Sequence, residues 1–237
     1  MIAVSPTGHA EVTAVNGALN ASLARLQQSG DELLTEVYDE AALKERLSHL
    51  DTRAKTAFAA ACAESLVPLQ ERYWSRAEES ANESRARDIL DSVWGAVSKD
   101  NAVVSSLASE AAAFGPTDDE PWLFDMGYAQ NAAAALAYAI RTWLSDDAQE
   151  AAWAARQVCE AAEYSCSQPD MGSDELLVRK ISDISAQNAG LDSSAGMQSA
   201  LAFLDQALRI CEATPSSWDQ LQRLARSAGQ SWASSFR

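Results

Sequence analysis

The run YAQNAAAALAYAIRTWL, residues 128–144, followed after one residue by DDAQEAAWAARQVCEAAEYSC, residues 146–166, decides the fold. In the first run Ala129, Ala133, Leu136, Ile140 and Leu144 recur at three- and four-residue spacing. In the second Ala148, Ala151, Ala152, Ala155, Val158, Cys159 and Ala162 do the same, the period of helices with one apolar face each. So short a joint makes the two helices antiparallel neighbours. Because nearly every contact position is alanine, their axes approach closely, which places the pair at the centre with other helices around it. Ser145 reads as the N-cap of the second helix, with Asp146 and Asp147 as favourable negative charge in its first turn.

Outward from this hairpin the same period continues in both directions. Residues 1–8 read as a loose start, and Ala10–Gln28 as a first helix carrying Val15, Leu19, Leu23 and Leu26, stopped by Gly30. Asp31–Leu50 reads as one helix or two short ones. Asp51 caps a helix whose stripe is Phe58, Ala61, Cys62, Leu66, Leu69 and Tyr73, and Pro68 inside it predicts a kink or restart near Val67. Asn82 caps a helix with Ile89, Leu90, Val93, Trp94 and Val97 on one face. Another covers Ala102–Ala113, ended by Gly115, a residue that tolerates left-handed geometry, and then Pro116, which cannot continue the helix. Beyond the hairpin, helices are predicted over Ser173–Gly190 and Ser193–Ala213, and Thr214-Pro215 opens a last one with Trp218, Leu221, Ala225, Ala228 and Trp232 inward. No run alternates with period two, so no strand is predicted. The expectation is an all-α single domain over 1–237, an irregular multi-helix bundle around the central Ala-rich hairpin, with Ala133, Leu136, Ile140, Ala152, Ala155 and Cys159 at its centre. Residues 173–237 pack on a core formed by 48–166.

The totals agree with a folded helical chain: 47% of the 237 residues are hydrophobic, while Gly and Pro number only 10 and 6. A net charge of −16 argues against a broad surface for nucleic acid or anionic membranes. It suits a basic protein partner, and it equally suits an acidic surface that only keeps the chain soluble. No stretch approaches the ~18–20 apolar residues of a membrane span, and Met1–Ala10 lacks the pattern of a signal peptide, so a cytoplasmic location is expected. Cys62, Cys159, Cys166 and Cys211 show no CxxC spacing and read as reduced, buried small hydrophobes.

Catalytic motifs are missing from the chain. His9 and His49 have no partner at ligand spacing, and no P-loop, GxGxxG or GxSxG occurs; neither enzyme activity nor a cofactor is expected. Carboxylates remain. Glu160-x-x-Glu163 and Glu36-x-x-Asp39 have the spacing with which all-α nucleotide pyrophosphohydrolases hold Mg²⁺, but in the reverse order along the chain. Such pairs are common on acidic helices, so the solvated-face reading is preferred and no metal is expected.

Two stretches suit a protein partner. Helical phase gathers Trp153, Gln157, Glu160 and Tyr164 opposite the alanine stripe, with Tyr138, Arg141 and Asn131 on the corresponding back of the other helix. Aromatic residues and arginine are enriched in interfaces, although a second buried face explains the pattern as well and weighs more. Asp118, Asp119 and Glu120 stand just ahead of Pro121 and Trp122, as an anchor for a basic partner or as helix-start charges with an aromatic staple.

Phe58-Ala59-Ala60-Ala61-Cys62-Ala63-Glu64 followed by Pro68, then Ile89-Leu90-Asp91 with Trp94, then Pro116-Thr117-Asp118-Asp119 and the alanine-rich hairpin from near Asn131, come in an order and spacing that resemble the YjaG-like family of bacterial helical proteins of unknown function. The resemblance covers Ser48–Cys166 and departs at Asn131, where the family tends to carry an acid. It implies an all-α fold and no established activity. The chain is also similar in kind to the all-helical immunity proteins of bacterial polymorphic-toxin systems. The expected function is a non-catalytic protein-binding module of that type, contacting its partner through Asp118, Asp119, Glu120, Trp122, Trp153, Glu160 and Tyr164. A carboxylate-dependent metal enzyme and a structural or regulatory helical protein are the alternatives.

Overall fold

The structure, a computed structural model, describes residues 38–77, 80–99, 106–116, 123–166, 194–215 and 217–236. Among them eight helices follow in order: α1 (Glu40–Ser48), α2 (Thr52–Arg76), α3 (Ser80–Lys99), α4 (Ser106–Ala113), α5 (Met126–Ser145), α6 (Ala148–Cys166), α7 (Ala195–Glu212) and α8 (Asp219–Ser235). No strand occurs among the described residues. All eight belong to the compact unit Glu36–Arg237. The helices expected over Ala10–Gln28 and Ser173–Gly190 lie outside the described residues.

The hairpin forms, with α5 packed along α6, although Leu144 at the end of the predicted stripe is exposed. Ala133, Leu136, Ile140, Ala152, Ala155 and Cys159 are buried. A third helix shares the centre with it. Every residue of α2 from Ala54 to Val67 is buried, as in a helix surrounded on all sides. Accordingly α2 packs against α3, α5, α6, α7 and α8, most extensively against α5.

Pro68 does not break α2, which continues through it to Arg76. A helix-interior proline costs about 3 kcal/mol, and here close packing offsets that cost. The ring lies under α8 at Gly229, where a Cβ would come within 2.6 Å of the Ser65 carbonyl oxygen and 3.0 Å of Pro68 Cδ.

The joint of the hairpin differs from its expected form. Ser145 is the last residue of α5, its Oγ donating to the Arg141 carbonyl, so it does not cap α6. Asp147 supplies that cap by accepting from the Gln149 amide at 2.8 Å. Between them Asp146 turns left-handed with φ 58°, a conformation that Asp tolerates better than most residues. Its position is fixed from α2: Lys55 Nζ donates to the Asp146 carbonyl at 2.7 Å, and Thr52 Oγ1 donates to Oδ1 at 2.6 Å. The Lys55 ammonium and the Thr52 hydroxyl also hold the Asp146 carboxyl below the usual carboxylate range.

Other helix ends follow simple caps. Asp39 caps α1, which takes up only part of Asp31–Leu50, Asp51 caps α2 and Ser194 caps α7. Gly115 ends α4 without a positive φ. Pro215 does not open α8 either; Thr214 turns at φ 45° and the helix starts at Asp219. Cys62, Cys159 and Cys211 are buried free thiols, each pushed up in pKa by burial first, whereas Cys166 is exposed, contrary to expectation. No helix among the described residues is long and apolar enough to cross a membrane.

Candidate protein-binding surface

Antiparallel pairing brings Tyr138 of α5 across from Trp153 of α6, with ring centroids 5.6 Å apart and planes tilted by 47°. Arg141, three residues beyond Tyr138, lays its guanidinium 5.2 Å above that ring. Glu150, three residues before Trp153, points an oxygen toward it at 3.8 Å from Arg141 Nη1, too long for a hydrogen bond. Burial pushes the Glu150 carboxyl up and Asp147 adds to the shift, while Arg141 partly opposes it. Both rings are half-buried. Leu144, at the tip of the hairpin, is the exposed large hydrophobic side chain among the described residues. This combination of Trp, Tyr and Arg with an apolar tip has the composition of an interface.

The residues expected to join Trp153 have separate neighbours. Glu160 accepts from Arg156 Nε at 2.8 Å, and Arg156 also lies 3.7 Å from Glu40. Tyr164 turns inward: its hydroxyl donates to the Phe124 carbonyl at 2.9 Å, and its ring stacks on Phe124 at 4.6 Å. That contact needs Gly127, because a Cβ there would fall 2.8 Å from Tyr164 Cζ. Trp153, Glu160 and Tyr164 therefore share a helical phase, each with its own neighbours. Asp118, Asp119, Glu120 and Trp122 lie outside the described residues.

Sequence reasoning missed two buried carboxylates. Glu64 is fully buried in α2; its Oε1 accepts from Arg87 Nη1 at 2.6 Å and Arg226 Nε at 3.0 Å, and its Oε2 from Trp94 Nε1 at 2.9 Å. Arg87 also pairs with Glu71, and the group borders a hollow of about 280 Å³. Asp125, just before α5, is held by Arg72 at 2.7 Å and by Arg76, while Arg72 further donates to the carbonyls of Ala233 and Phe236. The signal for Glu64 was a lone acid inside an apolar helical run. Glu64, Pro68 and Trp94, separate features of the resemblance quoted above, meet around this one cluster.

Internal pairing takes up most of the positive charge. Arg46, Lys55, Arg72, Arg76, Arg85, Arg87, Arg141, Arg156, Arg209 and Arg226 each lie within ion-pair distance of a carboxylate. Exposed Asp88, Asp91 and Asp219 form no ion pair among the described residues.

Residues 42–232 match the family described as "Protein of unknown function (DUF416)". The match extends well past Ser48–Cys166, from α1 into α8. The crystal structure at 1.91 Å of a DUF416 family protein from Shewanella baltica OS155 resembles the chain with a TM-score of 0.59 and 14% identity, over 79% of this chain and 93% of that one. At that identity the likeness is one of fold. No curated protein matches.

Proposed function

The chain belongs to the DUF416 family, whose function is unknown, and we propose from its own surface that it is a non-catalytic module that binds a basic protein. Tyr138, Arg141 and Trp153 on the back of the hairpin carry this reading, since half-exposed aromatic rings beside an arginine are the side chains that most often anchor a partner. The net charge of −16 sets the sign of that partner. In its specific form the proposal is an immunity protein of a bacterial cytoplasm, which covers the electropositive cleft of a toxin domain acting on nucleic acid or an anionic nucleotide. The acidic, all-helical character of the described chain supports that form.

The test is capture from the native host with the intact chain, followed by co-expression with the captured protein. A basic protein should be recovered by the wild type and lost with Trp153→Ala, once melting has shown that the variant is folded. Recovery of the same partner by both forms would remove the hairpin surface from the proposal. Failure to protect cells from a captured toxin would remove the inhibitory role.

A further inference from the structure

The back of the hairpin holds a buried acceptor that has no donor. Among the described residues Glu150 Oε2 is shielded from solvent and makes no hydrogen bond; the cation in ion-pair range, Arg141 Nη1, stops 3.8 Å away. Leaving a carboxylate oxygen unpaired in such a place costs stability, and burial accordingly raises the Glu150 carboxyl. Two aromatic rings share this corner through Arg141, whose guanidinium lies 5.2 Å above Tyr138. Trp153 lies nearly one turn along the same helix face, and Tyr138 meets it at 47°. Tilted rings closed by a carboxylate are the chemistry that recognises a cation, the ring faces supplying negative potential and the acid a hydrogen-bond acceptor. Arg141 occupies this corner loosely: it lies over one ring, falls short of the acid, and keeps 43% of its side chain exposed.

We propose that Tyr138, Glu150 and Trp153 form a cation-accepting site into which a basic protein partner inserts an arginine side chain, displacing Arg141 and supplying the donor that Glu150 Oε2 lacks. The inference rests on the protein-binding reading above and names the chemistry of its anchor. Charge complementarity selects a cation, given the acceptor and the excess of acid over the whole chain. Arginine fits better than lysine because a planar guanidinium stacks on a ring while donating in its own plane.

The site can be probed without any partner. The full chain, labelled with ¹⁵N, is titrated with N-acetyl-arginine amide while the indole N–H of Trp153, assigned with Trp153→Phe, is followed by NMR. A saturable shift in the millimolar range is expected for the wild type. Arg141→Ala, which vacates the corner, should bind about tenfold more tightly. Glu150→Gln should lose the response while the rest of its spectrum shows a folded protein, and the neutral isostere N-acetyl-citrulline amide should give none. Binding seen in Arg141→Ala alone supports the site as well, with Arg141 then the stronger occupant. No saturable shift in either form, an undiminished response in Glu150→Gln, or an equal response to citrulline would overturn it. Because the titration needs no protein partner, its failure leaves host capture to judge the protein-binding reading separately.

Discussion

Glu64 and Glu150 are both glutamates turned into the protein, and their partners give them opposite effects. Glu64 is fully satisfied by Arg87, Arg226 and Trp94, so Glu64→Gln, which takes the counter-charge from Arg226 and leaves Arg87 with Glu71 alone, should cost about 1–3 kcal/mol in a urea titration. Glu150 lacks a donor and titrates higher in the folded than in the unfolded chain. Protonation therefore favours the fold, and the burden Glu150 places on stability is greatest above its raised native pKa and disappears as pH falls below ~4. Glu150→Gln should thus melt a few degrees higher than the wild type near neutral pH and equally with it in acid; retaining such a residue at a cost is what a binding role would explain. Among the thiols, Cys166 alone is exposed, so a thiol reagent should label one cysteine in the native protein and four after denaturation. Tyr138, Arg141 and Trp153 were legible from helical phase because that cluster is made within one hairpin. The role of Glu64 was not, because its partners Arg87 and Arg226 arrive from two other helices, 23 and 162 residues on.

Helices could be read from local spacing, but their ranking could not. The alanine stripes of α5 and α6 are regular, whereas α2 carries Lys55, Glu64, Ser65 and Pro68, polar or helix-breaking positions that interrupt a stripe on paper; the first three are buried and Pro68 is half-buried. Three are accommodated by distant groups, Lys55 by Asp146, Glu64 by three donors and Pro68 by the close approach of Gly229, while Ser65 donates to the Cys62 carbonyl within α2. Caps that depend on a single turn, such as Asp51, followed the sequence, while Ser145 lost its role because Thr52 and Lys55 hold Asp146 in the turn. Two helices are joined most tightly at Gly229, and the consequence is testable. Gly229→Ala drives a methyl to within 2.6 Å of the Ser65 carbonyl and should cost about 1–3 kcal/mol by forcing α8 off α2. The control Gly115→Ala meets nothing closer than 3.7 Å and should leave the urea midpoint unchanged.

Among the described residues most arginines are drawn into internal ion pairs and the Tyr138–Arg141–Trp153 cluster lies at the surface, while the full sequence carries a charge of −16. Complementary charge acts mainly on the rate of encounter, so association with a basic partner should slow steeply between low and high salt, as the Debye length falls to ~3 Å near 1 M. Trp153→Ala should instead speed dissociation, since it removes a buried anchor. The location of binding is read most directly by hydrogen–deuterium exchange on the intact chain, alone and saturated with the protein captured from its host. Slowed exchange is expected along the hairpin between Tyr138 and Trp153, with α8, which packs against α2 and α7, unchanged. Unaltered exchange across 138–153 in the saturated complex would contradict the assignment of this surface to a protein partner.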